Sequence, residues 1–363
     1  NTGLVGTILA ANSSYATIPL SLQFLTIALT LIPVSLLMGK FGRRPMFLLG
    51  AMSAFVGCLI IACAIYYKLF SIFILGSILL GFSQANQQFY RYAAADNVSI
   101  NYKSKAISLV LAGGLIAAIL GPEVSRYSFD FFPDHIYLAT YLFAALIQII
   151  NFLILIFIKI KKPVLSKNSY RPLSDILLQK NLIIAILAAA VGYSLMSFIM
   201  TATPLQIVNV CKLGDSASAT VIQWHVIAMF APSFFTGTII TSLGNRKVMM
   251  IGLFLYAFSI SFTIIGQTIE HFWIALFLCG LGWNFLYVGG SDIIAKSALP
   301  EERAKVQGVT DFIIFVFVAT GSFLAGALHS SLGWEIMMFY TSIPIIILFF
   351  SIIMIKPDSI KVS

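Results

Sequence analysis

The chain has 363 residues, of which 60% are hydrophobic and 10% charged, with a mean hydropathy of +0.98. That much apolar surface cannot be hidden in a water-soluble core, which excludes an ordinary globular enzyme or binding module. The net charge of +9 at pH 7 does not indicate a nucleic-acid partner, because the basic residues fall in short loops between apolar runs, where they set topology.

The first apolar stretch, residues 4–11, is well short of the roughly 20 residues a helix needs to cross a bilayer. With Asn1 at the start instead of a methionine, it is expected to be what remains of a first span in a truncated sequence. A cleaved signal peptide is the other reading, but no basic leader region and no small-residue cleavage site accompanies it. Complete spans follow near residues 17–38, 46–66, 69–92, 105–125, 136–158, 182–203, 217–241, 248–268, 271–292, 306–328 and 335–355. The expected architecture is therefore an all-α integral membrane protein of twelve spans, the first incomplete. Cys58, Cys63 and Cys279 lie inside spans and Cys211 near a loop, so the cysteines read as packing residues and no metal site is expected.

Of the 22 Lys and Arg residues, only Lys68, Arg126 and Lys212 fall on one set of alternate loops, and all the others fall on the opposite set. The crowded side is expected to be cytoplasmic, in a bacterial inner membrane. It includes a long basic segment with Pro163, Ser166, Asn168 and Pro172, expected to link two bundles. The expected domains are thus a six-helix bundle over residues 1–158, a cytoplasmic linker over 159–181 and a second six-helix bundle over 182–363.

The halves echo one another. GKFGRRP at residues 39–45 has a counterpart in SLGNRKV at 242–248, and YAAADNV, around Asp96, is matched by VGGSDII, around Asp292, at nearly the same offset. Two echoes at one spacing indicate a duplicated six-span unit. Phe41, Gly42, Arg43 and Arg44 match the tail of the Gly-x-x-x-Asp-Arg-x-Gly-Arg-Arg loop pattern of the major facilitator superfamily, which the chain resembles along its whole length. Ser35, Gly39 and Lys40 stand at the first Gly, the Asp and the first Arg, while Gly237, Gly244 and Arg246 match in the second half and Thr241 stands at the Asp. GLIAAILGP, residues 114–122, is similar to the Gly-Pro motif of drug-proton antiporters, with Ser125 and Arg126 at its closing glycines and Ser77 where those exchangers carry an arginine. The resemblance implies a fold of two six-helix bundles, alternating access, and spans one, four, seven and ten around the solute path.

Polar groups inside apolar spans are costly and mark candidate sites. Gln84, Gln88 and Arg91 follow helical spacing, with Gln87 beside them, and are expected to line a hydrated path. The alternative is hydrogen bonding to neighbouring helices, with Arg91 reaching the interface. Trp283, Asn284 and Tyr287 occupy the matching span, where an aromatic ring beside an amide suits a flat organic solute or ordinary packing. Gln23 and His225 precede Gly42 and Gly244 by the same interval, so both are expected inside, His225 as a proton-coupling group or a structural hydrogen bonder. Asp311, inside the eleventh span, is the first candidate for a coupling carboxylate, and an ion pair with a nearby cation is its alternative.

The resemblance implies a cytoplasmic gate in which Asp96 and Asp292 bridge to Arg43, Arg44 and Arg246. Lys296, four residues after Asp292, is a competing local partner. Gly113 and Gly121 are expected to allow close helix approach, and Pro122 to loosen the fifth span.

No phosphate-binding loop, metal cluster or assembled nucleophile is apparent, so the chain is expected not to be an enzyme and to need no cofactor. The leading expectation is a secondary transporter, a monomer in the lipid bilayer, that exports a small organic solute in exchange for protons. Its alternatives are a proton-coupled importer of a nutrient or vitamin, and a receptor or scaffold that transports nothing.

Overall fold

A computed structural model describes residues 2–10, 18–128, 130–160 and 171–355. Every regular element among them is helical. The helices are α1 (Thr2–Leu9), α2 (Ile18–Phe41), α3 (Arg43–Tyr66), α4 (Phe70–Gln87), α5 (Tyr90–Asp96), α6 (Lys103–Ser128), α7 (Leu138–Phe157) and α8 (Leu173–Leu177). They are followed by α9 (Lys180–Pro204), α10 (Asp215–Phe230), α11 (Ser233–Leu243), α12 (Asn245–Ile265), α13 (Ile269–Ser297), α14 (Arg303–Leu332), α15 (Trp334–Tyr340) and α16 (Ser342–Ile353). Nine helical stretches among the described residues are long and apolar enough to cross a membrane, and α10 with α11, bent by 41°, makes a tenth. Helix α4 is not among them, because Gln84, Asn86 and Gln87 crowd its C-terminal end. Against the expected twelve spans, ten stretches among the described residues qualify on length and composition.

By contact, the chain divides into two units. Unit 1 comprises Asn1–Ala93 and Leu120–Leu165, and unit 2 comprises Ala94–Ile119 and Ser166–Ser363. The border runs through α6, whose first part belongs to unit 2.

In unit 1, α1, α3, α4 and α7 share an apolar core that includes Val5, Cys58, Ile61, Phe73 and Tyr141. Helix α4 meets its neighbours at glycines: a Cβ on Gly81 would lie 2.5 Å from the Gln23 carbonyl oxygen of α2, and one on Gly76 would lie 2.9 Å from the Gly57 carbonyl oxygen of α3. Unit 2 repeats this on α13. A Cβ on Gly280 would lie 2.6 Å from the His225 carbonyl oxygen of α10, and one on Gly282 would lie 2.9 Å from the Gly252 carbonyl oxygen of α12. Gly290 adds a third approach, 2.8 Å from the Ala185 carbonyl oxygen of α9. Where lipid tails are as apolar as the side chains, close main-chain approach is what holds helices together. The matched contacts set Gln23 and His225 in corresponding places, as their equal spacing from Gly42 and Gly244 predicts.

Those two glycines are single-residue links, α2 to α3 and α11 to α12, with φ of 94° and 81°. A side chain would be strained there, which explains why glycine recurs at both echoes.

Candidate functional site

A membrane helix that breaks exposes main-chain carbonyls which lipid cannot satisfy, so the breaks show where side chains are committed. In unit 1 the break lies at Gln88 and Phe89, between α4 and α5. Arg91 turns back into it, its Nη1 donating to the Gln88 carbonyl at 2.9 Å and to Gln88 Oε1 at 3.1 Å. Its Nη2 donates to the Tyr92 hydroxyl at 3.1 Å, and Arg91 is only 2% exposed. Arg43 Nη1 reaches the Phe89 carbonyl at 3.5 Å, and Arg44 donates to the Ile156 carbonyl at the end of α7. The unbroken polar face expected for Gln84, Gln88 and Arg91 is thus interrupted at Gln88. Gln87 Nε2 donates to Ser83 Oγ at 3.3 Å, Gln84 is half-buried, and Gln23 is buried with no partner for its Oε1 among the described residues.

In unit 2 the break follows Phe230, at Ala231 and Pro232, between α10 and α11. Asn284 of α13 holds it, with Nδ2 donating to the Met229 carbonyl at 2.7 Å and to Ser233 Oγ at 2.5 Å, while Oδ1 accepts from Thr236 Oγ1 at 2.6 Å. Ser108 of α6 donates to the Ser233 carbonyl and accepts from the Gly237 N–H at 2.9 Å. Both amide hydrogens of Asn284 are used, so it ties helices together where a solute-facing role was expected. His225 is fully buried, with Nδ1 2.7 Å from the Leu276 carbonyl. A carbonyl only accepts, so Nδ1 carries the proton, and Nε2 has no partner among the described residues.

A polar cluster ties the first part of α6 to α12, α13 and α14. The buried Asp292 accepts from Ser104 Oγ at 2.7 Å, Asn245 Nδ2 at 2.8 Å and Lys296 Nζ at 2.6 Å. Lys103 Nζ donates to the Ala295 carbonyl at 3.1 Å, and Arg303 pairs with Asp96 at 2.9 Å. The expected local pairing of Lys296 with Asp292 is present. The loop residue that reaches Asp292 is Asn245 rather than its neighbour Arg246, which is half-buried. One residue before Arg303, Glu302 takes both ends of the Arg171 guanidinium. That hydrogen bonding holds the Glu302 carboxyl below its ordinary range against the opposing effect of burial, and raises Arg171.

Aromatic rings gather around Trp283. It stacks on Tyr287, one turn on, at 4.9 Å and 17° between planes, and both are 2% exposed. Tyr193 of α9 meets these rings edge-on at 5.3 and 5.2 Å and Phe315 of α14 at 5.7 Å, and Phe230 of α10 meets Trp283 at 5.7 Å. Tyr193 was not singled out from the sequence, where it is one tyrosine among 14. Asp311 is fully buried on α14, one position after Thr310, which donates to the Gln307 carbonyl at 3.1 Å. A Cβ on Gly113 or Gly121 would meet nothing within 4 Å, so the close approach expected of them falls instead on Gly114, where a Cβ would lie 2.6 Å from the Phe230 ring. Pro122 lies within the continuous helix α6, and its side chain is outside the described residues. A crevice of about 330 Å³ lined by Phe198, Phe317, Leu324 and Tyr340 contains none of the sequence-predicted residues.

The Major Facilitator Superfamily model matches residues 2–222 and, separately, 182–362. The riboflavin transporter RfnT of Brucella anthropi is 40% identical over 337 residues, covering 92% of this chain and 84% of that protein. Among solved structures, the human organic anion transporter MFSD10 superposes with a TM-score of 0.72 at 17% identity, covering 96% of this chain and 83% of the other. The fucose:proton symporter FucP of E. coli does so with 0.73 at 14% identity, covering 96% and 90%. At these identities the structural likeness establishes the fold.

Proposed function

We propose that this chain, which belongs to the Major Facilitator Superfamily, carries riboflavin or a closely related flavin across a bacterial cytoplasmic membrane into the cell. The observation that carries this reading is the 40% identity to a riboflavin transporter over nearly the whole chain. An importer of a vitamin therefore stands ahead of drug-proton exchange, and Ser77, Ser125 and Arg126, which depart from the exchangers' pattern, favour the same side.

In this reading, halves 1–158 and 182–363, joined by 159–181, are the moving bodies, and the ties on residues 94–119 are the cytoplasmic gate. The gate chemistry supports reversible motion. When α6 withdraws, Asp292 gives up Ser104 but keeps Lys296 and Asn245, which sit on α13 and α12. The buried charge is never stripped, and the Ser104 bond contributes about 1 kcal/mol to the cost of the step, beside the Lys103 and Ser108 ties of α6. Asp96 and Arg303 are partly exposed, so water can replace that pair. Asp311 is the proposed proton-coupling carboxylate, because a fully buried acid on a moving helix changes charge readily with hydration. His225, with Nδ1 fixed to Leu276, is the second candidate.

The test is uptake of labelled riboflavin by proteoliposomes containing the purified protein, and growth of a riboflavin-requiring bacterium that expresses it. Accumulation above empty vesicles, together with growth at low external riboflavin, is expected. Folded, correctly inserted protein that moves no riboflavin would overturn the proposal.

A further inference from the structure

Trp283 has a buried indole N–H that donates to no acceptor among the described residues. A buried donor left unpaired is costly, more so where no water competes, and it persists where something else completes it. Rings pack around this indole: Tyr287 stacks on it, and Tyr193 and Phe230 meet it edge-on.

Phe230 differs from the rest. It is the last residue of α10, immediately before the 41° bend, and its ring rests where a side chain on Gly114 would otherwise stand. Its position thus depends on α6 staying in place, and the adjacent break lets it turn without dragging a straight helix along. The Met229 carbonyl beside the break stays satisfied through Asn284, which sits on α13 and does not depend on α6.

We infer that the Trp283 cluster is the ring-recognition subsite of the transporter and that Phe230 is its cover. The ligand class is a planar fused heteroaromatic ring with a carbonyl oxygen or ring nitrogen at its edge. The ring stacks on the aromatic side chains, and its edge atom accepts the Trp283 N–H. Withdrawal of α6 frees Phe230 and opens the subsite. This inference rests on the proposed flavin transport and adds which part of the flavin is recognised and by which residues.

The experiment is equilibrium and stopped-flow binding to the full-length detergent-purified protein, followed by quenching of flavin emission. The probes are riboflavin, lumichrome (the ring system without its ribityl chain) and free ribitol. Wild-type protein is expected to bind riboflavin and lumichrome with quenching, and an excess of ribitol is expected not to displace either. Trp283→Phe, which keeps a ring but loses the N–H, should weaken both flavins by about tenfold, the equivalent of one good hydrogen bond. Phe230→Leu should speed lumichrome association several-fold. If the Trp283 variant is not monodisperse, Tyr193→Leu provides the same test of ring affinity. Wild-type affinity in folded Trp283 or Tyr193 variants would overturn the inference and leave flavin transport standing. Failure of the wild-type protein to bind either flavin would overturn the transport reading itself. An unchanged association rate in Phe230→Leu would remove Phe230 as the cover.

Discussion

Arg171 grips Glu302 at both carboxylate oxygens, Nε to Oε1 at 2.8 Å and Nη2 to Oε2 at 2.6 Å. Glu302 also accepts the Leu299 N–H at 3.0 Å, so the carboxylate is tied to the turn that starts α14. The grip holds the carboxyl's pKa in the folded state below the ordinary 4.5. Its stabilisation is therefore fully present above pH 4.5 and lost as pH falls through the lower folded value. Arg171 is half-exposed, so Glu302→Gln is expected to cost only about 1–2 kcal/mol near neutrality. Thermal unfolding in detergent should show that difference constant from about pH 6 to 8 and vanishing in acid below the ordinary carboxylate range.

Gly81→Ala and Gly280→Ala each press a methyl against a main-chain carbonyl that cannot rotate away. Each is expected to destabilise its unit by about 1–3 kcal/mol. Gly113→Ala, with open space around it, should be neutral or gain up to about 1 kcal/mol from helix propensity. Unfolding midpoints of the three variants check the contrast.

Asn284→Leu leaves the Met229 carbonyl and the Ser233 hydroxyl without this partner, while the Thr236 hydroxyl keeps the Pro232 carbonyl. A stability loss of about 2–3 kcal/mol is expected, with riboflavin affinity of the surviving folded protein close to wild type. A large loss of affinity at unchanged stability would return Asn284 to the solute.

Ser104→Ala removes the one bond to Asp292 that the proposed gate breaks. It should favour the open form by about 1 kcal/mol, a fivefold shift. Labelling rates of a cysteine placed on α6 beside residue 104, with Asp292 and Lys296 intact, measure that shift.

Asp311→Asn should abolish riboflavin accumulation driven by a pH gradient while leaving binding and gradient-independent exchange intact. If Asp311 only anchors a cation, the variant loses folded protein but retains transport per folded molecule. Both quantities come from one proteoliposome preparation.

The links between paired helices were legible in the sequence, whereas the close glycine approaches were expected at Gly113 and Gly121 and fall elsewhere. Gly42 and Gly244 mark the single-residue links, and equal intervals from them located Gln23 and His225. The i to i+4 pairing of Asp292 with Lys296 was legible for the same reason, since it needs only helical geometry. Contacts across long separations were not. Arg303 with Asp96, Arg171 with Glu302 and Ser108 with the Ser233 carbonyl join residues that no local period relates. The breaks were not legible, because an intramembrane amide reads as a solute ligand until a nearby carbonyl is seen to need it. Asn284 and Arg91 each bond a carbonyl at a break, the hydrogen-bonding or packing role that stood as their alternative.

The glycine approaches of α4 and α13 have an evolutionary consequence. Every polypeptide presents the same carbonyl at a given helical position, whatever side chain the residue carries. A joint between a glycine and a carbonyl therefore constrains one residue and leaves its partner's identity free to drift. The fold can thus be kept while most side chains differ, as this chain superposes on a fucose symporter at 14% identity. In such a scaffold the joints rest on a few glycines, and the carbonyl side of each joint places no demand on sequence.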